Sequence, residues 1–276
     1  MKKAMILDVQ HGSYVDGPGM RTTVFFKGCN LRCKWCHNPE GLAREKQLLF
    51  FKNSCTDCRM CQKVCPSNLN SCSLCGECAF YCVHGARKIS GKEYTLTELK
   101  EQILKDVEFY RVSGGGVTFS GGECMLQIDF LKEILKTCKD VGIHTAVDTA
   151  GNVPYEYFQD ILPFTDLFLY DVKCVSEQLH TEGTGVSNVR IIENLKKLCK
   201  EAKVTVRIPL IKGFNDDLDE IKKMKDLLSK MKAEVEVCKY HDMGKIKYQA
   251  LGLQFNEYPL FEDEEFDNLK NMLMKK

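Results

Sequence analysis

Cysteine is the residue type that most constrains this chain. The 276-residue sequence contains 16 cysteines, and eleven of them lie between Cys29 and Cys82. The apolar run in the N-terminal MKKAMILDVQ ends at Asp8 after four residues, so we expect no export signal, no membrane-spanning helix and a cytoplasmic location. Because cytoplasmic thiols stay reduced, these cysteines favour metal or cluster binding over a disulfide framework.

The remaining composition is that of an ordinary globular protein. Hydrophobic residues make up 44% of the chain and charged residues 28%. The 39 Lys and Arg residues nearly balance the 38 Asp and Glu residues, which gives no electrostatic reason to expect nucleic acid or a membrane as a partner. The length permits one large domain, or one domain with a small insert, and we expect a monomer.

Apolar, β-rich runs alternate with helical patterns over most of the sequence. This alternation predicts an α/β fold with a parallel sheet and outer helices, and we expect a partial (β/α)6 barrel. Ligands bind at the C-terminal ends of such strands. Cys29, Asp148 and Asp171 each stand near the end of a predicted strand, which predicts one common site. The six strands are expected at residues 22–27, 116–120, 143–148, 166–172, 204–210 and 234–240.

Helical periodicity occupies the segments between these strands. Thr95 and Glu98 have the spacing of a capping box, which predicts the start of a helix. Gly142 is expected to end the second helix. The apolar stripes that predict five helices are Leu96, Leu99, Ile103 and Val107; Leu131, Ile134, Leu135 and Cys138; Val189, Ile192 and Cys199; Leu218, Ile221, Met224, Leu228 and Met231; and Phe266, Leu269 and Leu273.

Residues 51–85 interrupt the alternation and show no clear period. We therefore expect two domains, with residues 1–50 and 86–276 forming the barrel and residues 51–85 forming a small insert. A unit shorter than about 40 residues usually needs metals or disulfides to hold its fold. The eight cysteines of this segment are expected to fill that need with iron–sulfur clusters.

The insert cysteines form two runs with the spacing CxxCxxCxxxC. This spacing is typical of bacterial ferredoxins, in which the fourth cysteine of each run binds the other cluster. Two features depart from that pattern: the gap between Cys65 and Cys72 is shorter than in free ferredoxins, and Val83 rather than proline follows the second run. The pattern predicts one [4Fe–4S] cluster on Cys55, Cys58, Cys61 and Cys82, and another on Cys72, Cys75, Cys78 and Cys65.

Cys29, Cys33 and Cys36 form a third arrangement, CxxxCxxC, directly after the first predicted strand. Three thiolates on one short loop can hold three irons of a [4Fe–4S] cluster and leave the fourth iron open for a substrate. A zinc site or buried structural cysteines are the alternatives, but zinc sites usually pair CxxC with a distant second pair. The spacing therefore favours an iron–sulfur cluster.

Motifs spread over nearly the whole chain resemble those of one family. CxxxCxxC in this position is the signature of radical S-adenosylmethionine (SAM) enzymes. The surrounding residues are similar to the activating enzymes of glycyl radical enzymes, of which pyruvate formate-lyase activating enzyme is one. The matching motifs are Asp16-Gly17-Pro18-Gly19-Met20-Arg21, Cys36-His37-Asn38-Pro39, Ser120-Gly121-Gly122-Glu123, Asp148-Thr149, Asp171-Val172-Lys173, Arg207-Ile208-Pro209 and Tyr240-His241.

The resemblance implies a role for each matching position. Taken singly, Gly121 and Gly122 could form a turn, Asp148 could cap a helix and Arg207 could make a surface ion pair. The implied groups are Cys29, Cys33 and Cys36 for the SAM cluster; Trp35 and His37 along the adenine; Gly121, Gly122 and Glu123 at the methionine amino group; Asp171, Val172, Lys173, Arg207 and His241 at the ribose and methionine carboxylate; and Asp148, Thr149 and Asp171 at a monovalent cation.

The resemblance also implies an activity. Such an enzyme reductively cleaves SAM to methionine and a 5′-deoxyadenosyl radical, which abstracts hydrogen from a glycine of a partner glycyl radical enzyme. Asp16 and Arg21 would hold the substrate peptide, although Gly17-Pro18-Gly19 alone would explain a turn. A flavodoxin or ferredoxin would donate electrons. The cofactors would be three [4Fe–4S] clusters, SAM and a monovalent cation.

Two other functions are compatible with parts of the sequence. A ferredoxin-like electron carrier would explain the insert but not CxxxCxxC or the motifs at the strand ends. A radical SAM enzyme acting on a small molecule would explain those motifs but not the DGPG loop or the insert. The sequence leaves the partner open among a hydroxyproline or diol dehydratase, a choline lyase and an arylacetate decarboxylase.

Overall fold

The computed structural model describes residues 2–69 and 71–274. In this part of the chain ten strands are present, and eight of them form one sheet. The strands are β1 Lys3–Ser13, β2 Arg21–Phe26, β3 Gln47–Phe50, β4 Arg87–Ser90, β5 Lys92–Thr95, β6 Gly116–Gly121, β7 His144–Thr149, β8 Leu167–Asp171, β9 Val204–Leu210 and β10 Glu234–Lys239.

The large sheet has the order β10-β9-β8-β7-β6-β2-β1-β5. Its six strands β2 and β6 to β10 run parallel and follow one another in chain order, so all six predicted strands and the predicted α/β fold are confirmed. The sheet is mixed because β1 pairs antiparallel with both β2 and β5. The sequence did not predict β1, since its second half is polar and exposed and is held by pairing with β2.

Eleven α-helices are present in the described ranges, of which the first nine lie between the parallel strands along the chain and the last two follow β10. They are α1 Met60–Val64, α2 Glu77–Phe80, α3 Leu96–Leu104, α4 Val107–Ser113, α5 Ile128–Asp140, α6 Tyr155–Ile161, α7 Glu177–Thr184, α8 Val189–Glu201, α9 Leu218–Leu228, α10 Lys245–Leu251 and α11 Asp263–Met274. All five predicted helices are confirmed, as α3, α5, α8, α9 and α11. Within the described ranges no helix is long and apolar enough to cross a membrane.

The predicted helix ends are partly correct. Thr95 and Glu98 form the expected capping box, and Gly142 follows α5 with a φ of +74°. Val107 does not continue α3, as predicted, but begins α4. The break occurs because the side chain of Asp106 turns inward and accepts a hydrogen bond from Thr22 Oγ1 at 2.5 Å. Met231, which was expected in α9, lies beyond its last residue.

The two faces of the large sheet differ in chemistry because side chains alternate along each strand. One face contributes Phe119, Phe168 and Val206 to the main core, which packs against the helices and excludes water from these side chains completely. The opposite face carries Asp148, Asp171 and other polar groups near the C-terminal strand ends. The alternation thus separates a dry core from a polar site.

A separate two-stranded sheet joins the ends of the segment expected to form the insert. β3 pairs antiparallel with β4, and the backbone N–H of Phe51 donates to the carbonyl of Ala86 at 2.7 Å. The chain therefore enters the expected insert at residue 51 and returns from it at residue 86, and the strands before and after it, β3 and β4, are neighbours. The division into two domains at these positions stays a prediction.

Candidate active site

The main cavity has a volume of about 580 Å³ and lies at the C-terminal ends of the parallel strands. This volume is within the range of roughly 300–1,000 Å³ that is usual for small-molecule sites. The cavity brings together residues from loops and strands that are far apart in sequence, as the strand-end pattern predicts. The predicted site residues that line it are Asp16, Cys29, Cys33, Trp35, Cys36, His37, Gly121, Gly122, Asp148, Thr149, Asp171, Lys173, Arg207 and His241.

The three cysteines of CxxxCxxC share one wall of the main cavity. Backbone hydrogen bonds fix their loop: Arg32 N–H donates to Thr184 O at 2.7 Å and Lys34 N–H to Gly183 O at 3.0 Å, both in α7. Gly183 cannot be replaced easily, since a Cβ there would lie 2.5 Å from the Phe214 ring and 2.8 Å from Trp35. Burial raises the pKa of Cys29, Cys33 and Cys36 to about 11. A metal cluster must therefore displace protons from these thiols when it binds.

The Gly121-Gly122 pair presents bare backbone to the main cavity. A Cβ on Gly122 would lie 2.3 Å from Gly28 O, so a side chain cannot be accommodated without moving the loop that precedes Cys29. Gly121 has a φ of +116°, a conformation that favours glycine. The pair thus allows the ends of β2 and β6 to approach closely beside the cysteine loop.

Glu123 lies in the protein interior near the end of β6. Its side chain is 1% exposed and is not part of the cavity wall. The carboxylate accepts hydrogen bonds from Thr149 Oγ1 at 2.8 Å and from Ala150 N–H at 3.0 Å. Burial raises the pKa of Glu123 to about 7, although these hydrogen bonds oppose the change. Glu123 therefore connects the ends of β6 and β7, and its expected place at a methionine amino group stays a prediction.

Two acidic and two basic side chains, arranged as two ion pairs, line the main cavity. Asp148 Oδ2 accepts from Ser120 Oγ at 2.6 Å and pairs with Arg207 Nη1 at 3.4 Å. Lys173 Nζ pairs with Asp171 Oδ2 at 2.9 Å. Burial raises the pKa of Asp148 to about 6, against the opposing effect of Arg207. Such a wall is suited to a ligand that carries both positive and negative groups.

Val172 lies between these charged residues but does not line the cavity. Its side chain is 1% exposed and belongs to the main core, because alternation along the chain turns it away from Asp171 and Lys173. The backbone N–H of Val172 donates to Arg207 O at 2.9 Å and so joins the end of β8 to β9. The expected part of Val172 in binding a cofactor stays a prediction, and its side chain lies in the core.

Aromatic side chains form another wall. The His37 and His241 rings stack with centroids 3.9 Å apart, and Trp35 packs against Phe214 at 4.3 Å. His37 Nε2 is 2.7 Å from His241 O, and burial lowers the pKa of His37 to about 4. His241 Nδ1 has no hydrogen-bond partner among residues 2–69 and 71–274. This wall offers flat apolar surface and a buried polar nitrogen.

The DGPG loop contributes one of its two expected residues to the main cavity. Asp16 lines the cavity and accepts from Ser13 Oγ at 2.6 Å and Thr23 Oγ1 at 2.7 Å. The contact of Arg21 with a peptide stays a prediction, and its side chain is completely buried. The reason is its place at the start of β2, where its guanidinium donates to Thr118 Oγ1 at 2.6 Å and Pro18 O at 3.1 Å. Arg21 therefore holds the loop from inside.

A second cavity, of about 150 Å³, lies between the segment 51–86 and the β3–β4 sheet; we call it the insert cavity. Four cysteines line it: Cys65, Cys72, Cys75 and Cys78. The sequence assigned these same four to one cluster. In the described part of the chain, no three His, Cys, Asp or Glu side chains lie close enough to hold a single metal ion.

The backbone repeats itself around the two insert runs. Asp57 and Arg59 in the first run have positive φ angles, and so do Leu74 and Gly76 at the same offsets in the second. Residues other than glycine rarely adopt this conformation. The short helices α1 and α2 begin directly after these positions. The two cysteine runs thus share one local backbone path.

Comparison with known proteins decides the family. Residues 23–228 match the model of the radical SAM superfamily. The chain is 41% identical to the trans-4-hydroxy-L-proline dehydratase activating enzyme of Clostridioides difficile, over 95% of this chain and 90% of the relative. It is 37% identical to the choline trimethylamine-lyase activating enzyme of Oleidesulfovibrio alaskensis, over 99% and 96% of the two chains. This chain belongs to the glycyl-radical-enzyme activating enzymes of the radical SAM superfamily.

Solved structures agree with this fold. A radical SAM methyltransferase from Sphaerobacter thermophilus aligns with 99% of this chain and 73% of its own, with a TM-score of 0.58 and 15% identity. At this identity the likeness concerns the fold alone. The radical SAM α/β architecture of the activating enzyme is therefore supported by both sequence and structure.

Several residues of this activating enzyme's main cavity were not predicted. Cys238 and Lys239 end β10, so the strand-end rule could have indicated them. Met243 and Lys247 line the cavity from beyond β10, where periodicity gives no signal. Lys247 pairs with Glu40 at 2.8 Å, which connects α10 to the segment that follows the cysteine loop.

Proposed function

We propose that the main cavity binds SAM against a [4Fe–4S] cluster held by Cys29, Cys33 and Cys36, and that the product radical is delivered to a glycine of a partner protein. The observation that carries this proposal is that all three thiols of one loop line the same 580 Å³ cavity as the Asp148–Arg207 and Asp171–Lys173 pairs. Family membership requires a cluster and SAM, and the residues present fit both.

The cysteine loop fits a cluster that keeps one iron without a protein ligand. Its three thiols belong to half-buried residues that line one cavity, and its backbone is fixed by α7 and by the hydrogen bond from Gly28 N–H to Gly41 O at 2.8 Å. When bound, the cluster supplies one electron for the cleavage of SAM to methionine and a 5′-deoxyadenosyl radical. Trp35, Ile211 and Tyr240 form a buried apolar cluster beside the loop and would help exclude water from that radical.

The charged wall would orient the ends of SAM. Arg207 and Lys173 would attract the methionine carboxylate, and the backbone at Gly121 and Gly122 would accept from the amino group. His37 and Trp35 would lie along the adenine, and His241, which stacks on His37, would lie at the ribose. Asp148, Thr149 and Asp171 would border a monovalent cation beside them. These roles rest on the position of each residue in the main cavity wall.

The partner peptide would enter beside Asp16. Val15 on the same loop lines the cavity, and Val15 and the preceding Tyr14 are each 70% exposed and offer apolar surface beside it. The relatives are named for a dehydratase and a lyase that act on small metabolites, so we propose a glycyl radical enzyme of this kind as the partner. Arg21 would support this loop from below rather than contact the peptide.

The insert would hold two further clusters, on Cys55, Cys58, Cys61 and Cys82 and on Cys65, Cys72, Cys75 and Cys78. Residues 51–85 would form this second domain and relay electrons from a flavodoxin or ferredoxin. Support comes from the four cysteines that share the insert cavity. Anaerobic reconstitution should give about twelve iron atoms per chain, since each cluster contains four. An iron content of about four would contradict the two-cluster insert.

The test of the proposed function is activation of a partner. The reconstituted enzyme should release 5′-deoxyadenosine from SAM under a strong reductant, measured by chromatography. Mixed with a hydroxyproline dehydratase or a choline lyase, it should produce a glycyl radical visible by electron paramagnetic resonance. Radical formation should disappear when the target glycine of the partner is replaced by alanine. SAM cleavage without a radical on either partner, or on a diol dehydratase or an arylacetate decarboxylase, would favour a small-molecule substrate.

A further inference from the structure

The insert cavity contains a cation as well as cysteines. Arg87 is the one charged side chain among the described residues that line it. The other lining residues are Leu48, Cys65, Leu69, Cys72, Ser73, Leu74, Cys75, Gly76, Cys78 and Ile89. A guanidinium beside four thiols is not required by the ferredoxin spacing, because that spacing concerns the cysteines only.

The setting of Arg87 fixes its side chain without neutralising it. Arg87 is the first residue of β4, and its Cζ lies 4.8 Å from the centre of the Phe50 ring across the strand pair. Its Nε is buried and has no hydrogen-bond partner among residues 2–69 and 71–274. No carboxylate in that part of the chain forms a salt bridge with it. Arg87 as a whole is half-buried, and a partly desolvated cation without an anion is stabilised by a negative group in the cavity, so this arrangement points to such a group.

We infer that Arg87 faces the cluster bound by Cys65, Cys72, Cys75 and Cys78 and raises its reduction potential above that of the other insert cluster. This inference rests on the proposed two-cluster insert. A cluster with four thiolate ligands is an anion, and its negative charge increases by one on reduction. A nearby fixed cation therefore stabilises the reduced form more than the oxidised form.

The charges near the other cysteine set differ. Cys55 and Cys58 are exposed, as are Cys72 and Cys75 of the insert-cavity set, so the contrast lies in the cations. Arg59 is exposed and pairs with Asp57 at 3.6 Å, whereas the charge of Arg87 acts on Cys65 and Cys78 of the insert-cavity set and on Cys82 of the other set. Exposed charges are screened by water and salt, so they affect a potential less than a half-buried charge does. The two insert clusters should thus be electronically inequivalent, although their cysteine spacing is the same.

The test compares three variants of the full-length, reconstituted enzyme. Arg87→Gln removes the charge at the cavity. Lys88→Gln removes the same charge from the next residue, which is exposed and does not line the cavity. Arg87→Lys retains a charge. The measurement is a redox titration followed by electron paramagnetic resonance, in which the SAM cluster is recognised by its response to added SAM.

We expect Arg87→Gln to lower one insert midpoint potential by a tenfold change in the reduction equilibrium, about 59 mV for one electron. Lys88→Gln should leave all midpoints in place, and Arg87→Lys should retain most of the parent value. The shifted midpoint should be the one that disappears in Cys72→Ala. Equal midpoints for Arg87→Gln and Lys88→Gln would overturn the inference.

Two further outcomes are separable. If Arg87→Gln fails to assemble an insert cluster, Arg87→Lys should still assemble the two insert clusters. If neither variant assembles them, the guanidinium serves packing on Phe50, and the electrostatic role is overturned. An iron content of about four per chain in the parent enzyme would contradict the two-cluster insert itself. Normal iron content with unshifted midpoints contradicts only the role of Arg87.

Discussion

The Thr149 hydroxyl donates to the buried Glu123 carboxylate, with its oxygen 2.8 and 2.9 Å from the two carboxylate oxygens. Ala150 N–H donates to the same group at 3.0 Å. The bonds join the end of β6 to the end of β7 directly behind Gly121 and Asp148, which line the main cavity. The buried Glu123 carboxylate therefore helps determine how two segments that line the main cavity are spaced.

Replacing Glu123 by alanine should destabilise the protein. The change leaves buried donors at Thr149 and Ala150 without an acceptor, which costs about 1–3 kcal/mol for each group. We expect a lower free energy of unfolding in anaerobic denaturant titrations, and weaker SAM binding as a consequence. Glu133→Ala, an exposed position on α5, serves as the control. Equal unfolding free energies for the two variants would contradict this role for Glu123.

Glu123 also predicts a pH dependence of stability. Burial raises the pKa of this carboxyl to about 7 from an ordinary value of 4.5, so the folded state binds its proton more tightly than the unfolded state. Its contribution is complete below pH 4.5 and is lost as the pH rises through 7. Glu123→Gln should therefore flatten the pH dependence of the unfolding free energy between these values. If the unfolding free energies of parent and variant change with pH in parallel, Glu123 does not cause the pH dependence.

Loss of one cysteine from CxxxCxxC should abolish SAM cleavage and leave the insert clusters in place. Cys33→Ala leaves two thiols on the loop, which is too few to hold the proposed cluster. Iron content should fall by about four atoms per chain, and 5′-deoxyadenosine should no longer form. Cys199→Ala, a half-buried cysteine outside the main cavity, is the matched control. Release of 5′-deoxyadenosine at the parent rate by Cys33→Ala would show that another cluster binds SAM.

Arg207→Gln should weaken SAM binding without reducing iron content. A lost charge-assisted contact costs about 1.5–3 kcal/mol, or roughly a 10- to 150-fold loss of affinity. The variant also leaves the Asp148 carboxylate without its cationic partner. Lys203→Gln removes an exposed cation next to the start of β9 and should change nothing. The measurement is the SAM affinity of the reconstituted proteins. Equal SAM affinities for the two variants would show that Arg207 does not contribute to the proposed site.

The sequence was sufficient for the parallel strands because each is a short apolar run buried on the core face. It also placed Cys29, Asp148 and Asp171 in one site, since the C-terminal ends of parallel strands meet at one edge. These inferences depend on local patterns and a general rule of topology. Neither requires the position of a particular side chain.

The sequence could not predict the direction in which individual side chains point. Arg21 carries a charge that usually indicates the surface, yet Thr118 and nearby carbonyls satisfy its guanidinium in the interior. Glu123 points away from the cavity because Thr149 and Ala150 offer donors there. Met243 and Lys247 reach the main cavity only through the path of the chain after β10. Each depends on tertiary contacts that leave no local signal.

The role of the insert can be separated from that of the main cavity by Cys72→Ala. This change should damage the cluster of the insert cavity, while Cys29, Cys33 and Cys36 lie in a different cavity and are unaffected. With a strong chemical reductant, SAM cleavage should persist at a measurable level. Glycyl-radical formation on the partner, driven by a flavodoxin or ferredoxin, should fall much further, because electrons from a protein donor would pass through the insert.

The opposing interpretation is that the insert clusters only stabilise the fold. Metal binding then contributes folding free energy, and Cys72→Ala should lower soluble yield and reduce both activities equally. Ser71→Ala, at an exposed neighbouring position, controls for disturbance of the loop. The two activities are measured on the same soluble preparation, with far-ultraviolet circular dichroism to confirm folding. An equal loss of both in a folded Cys72→Ala protein would reject the relay, because homolysis under a chemical reductant needs only the main cavity.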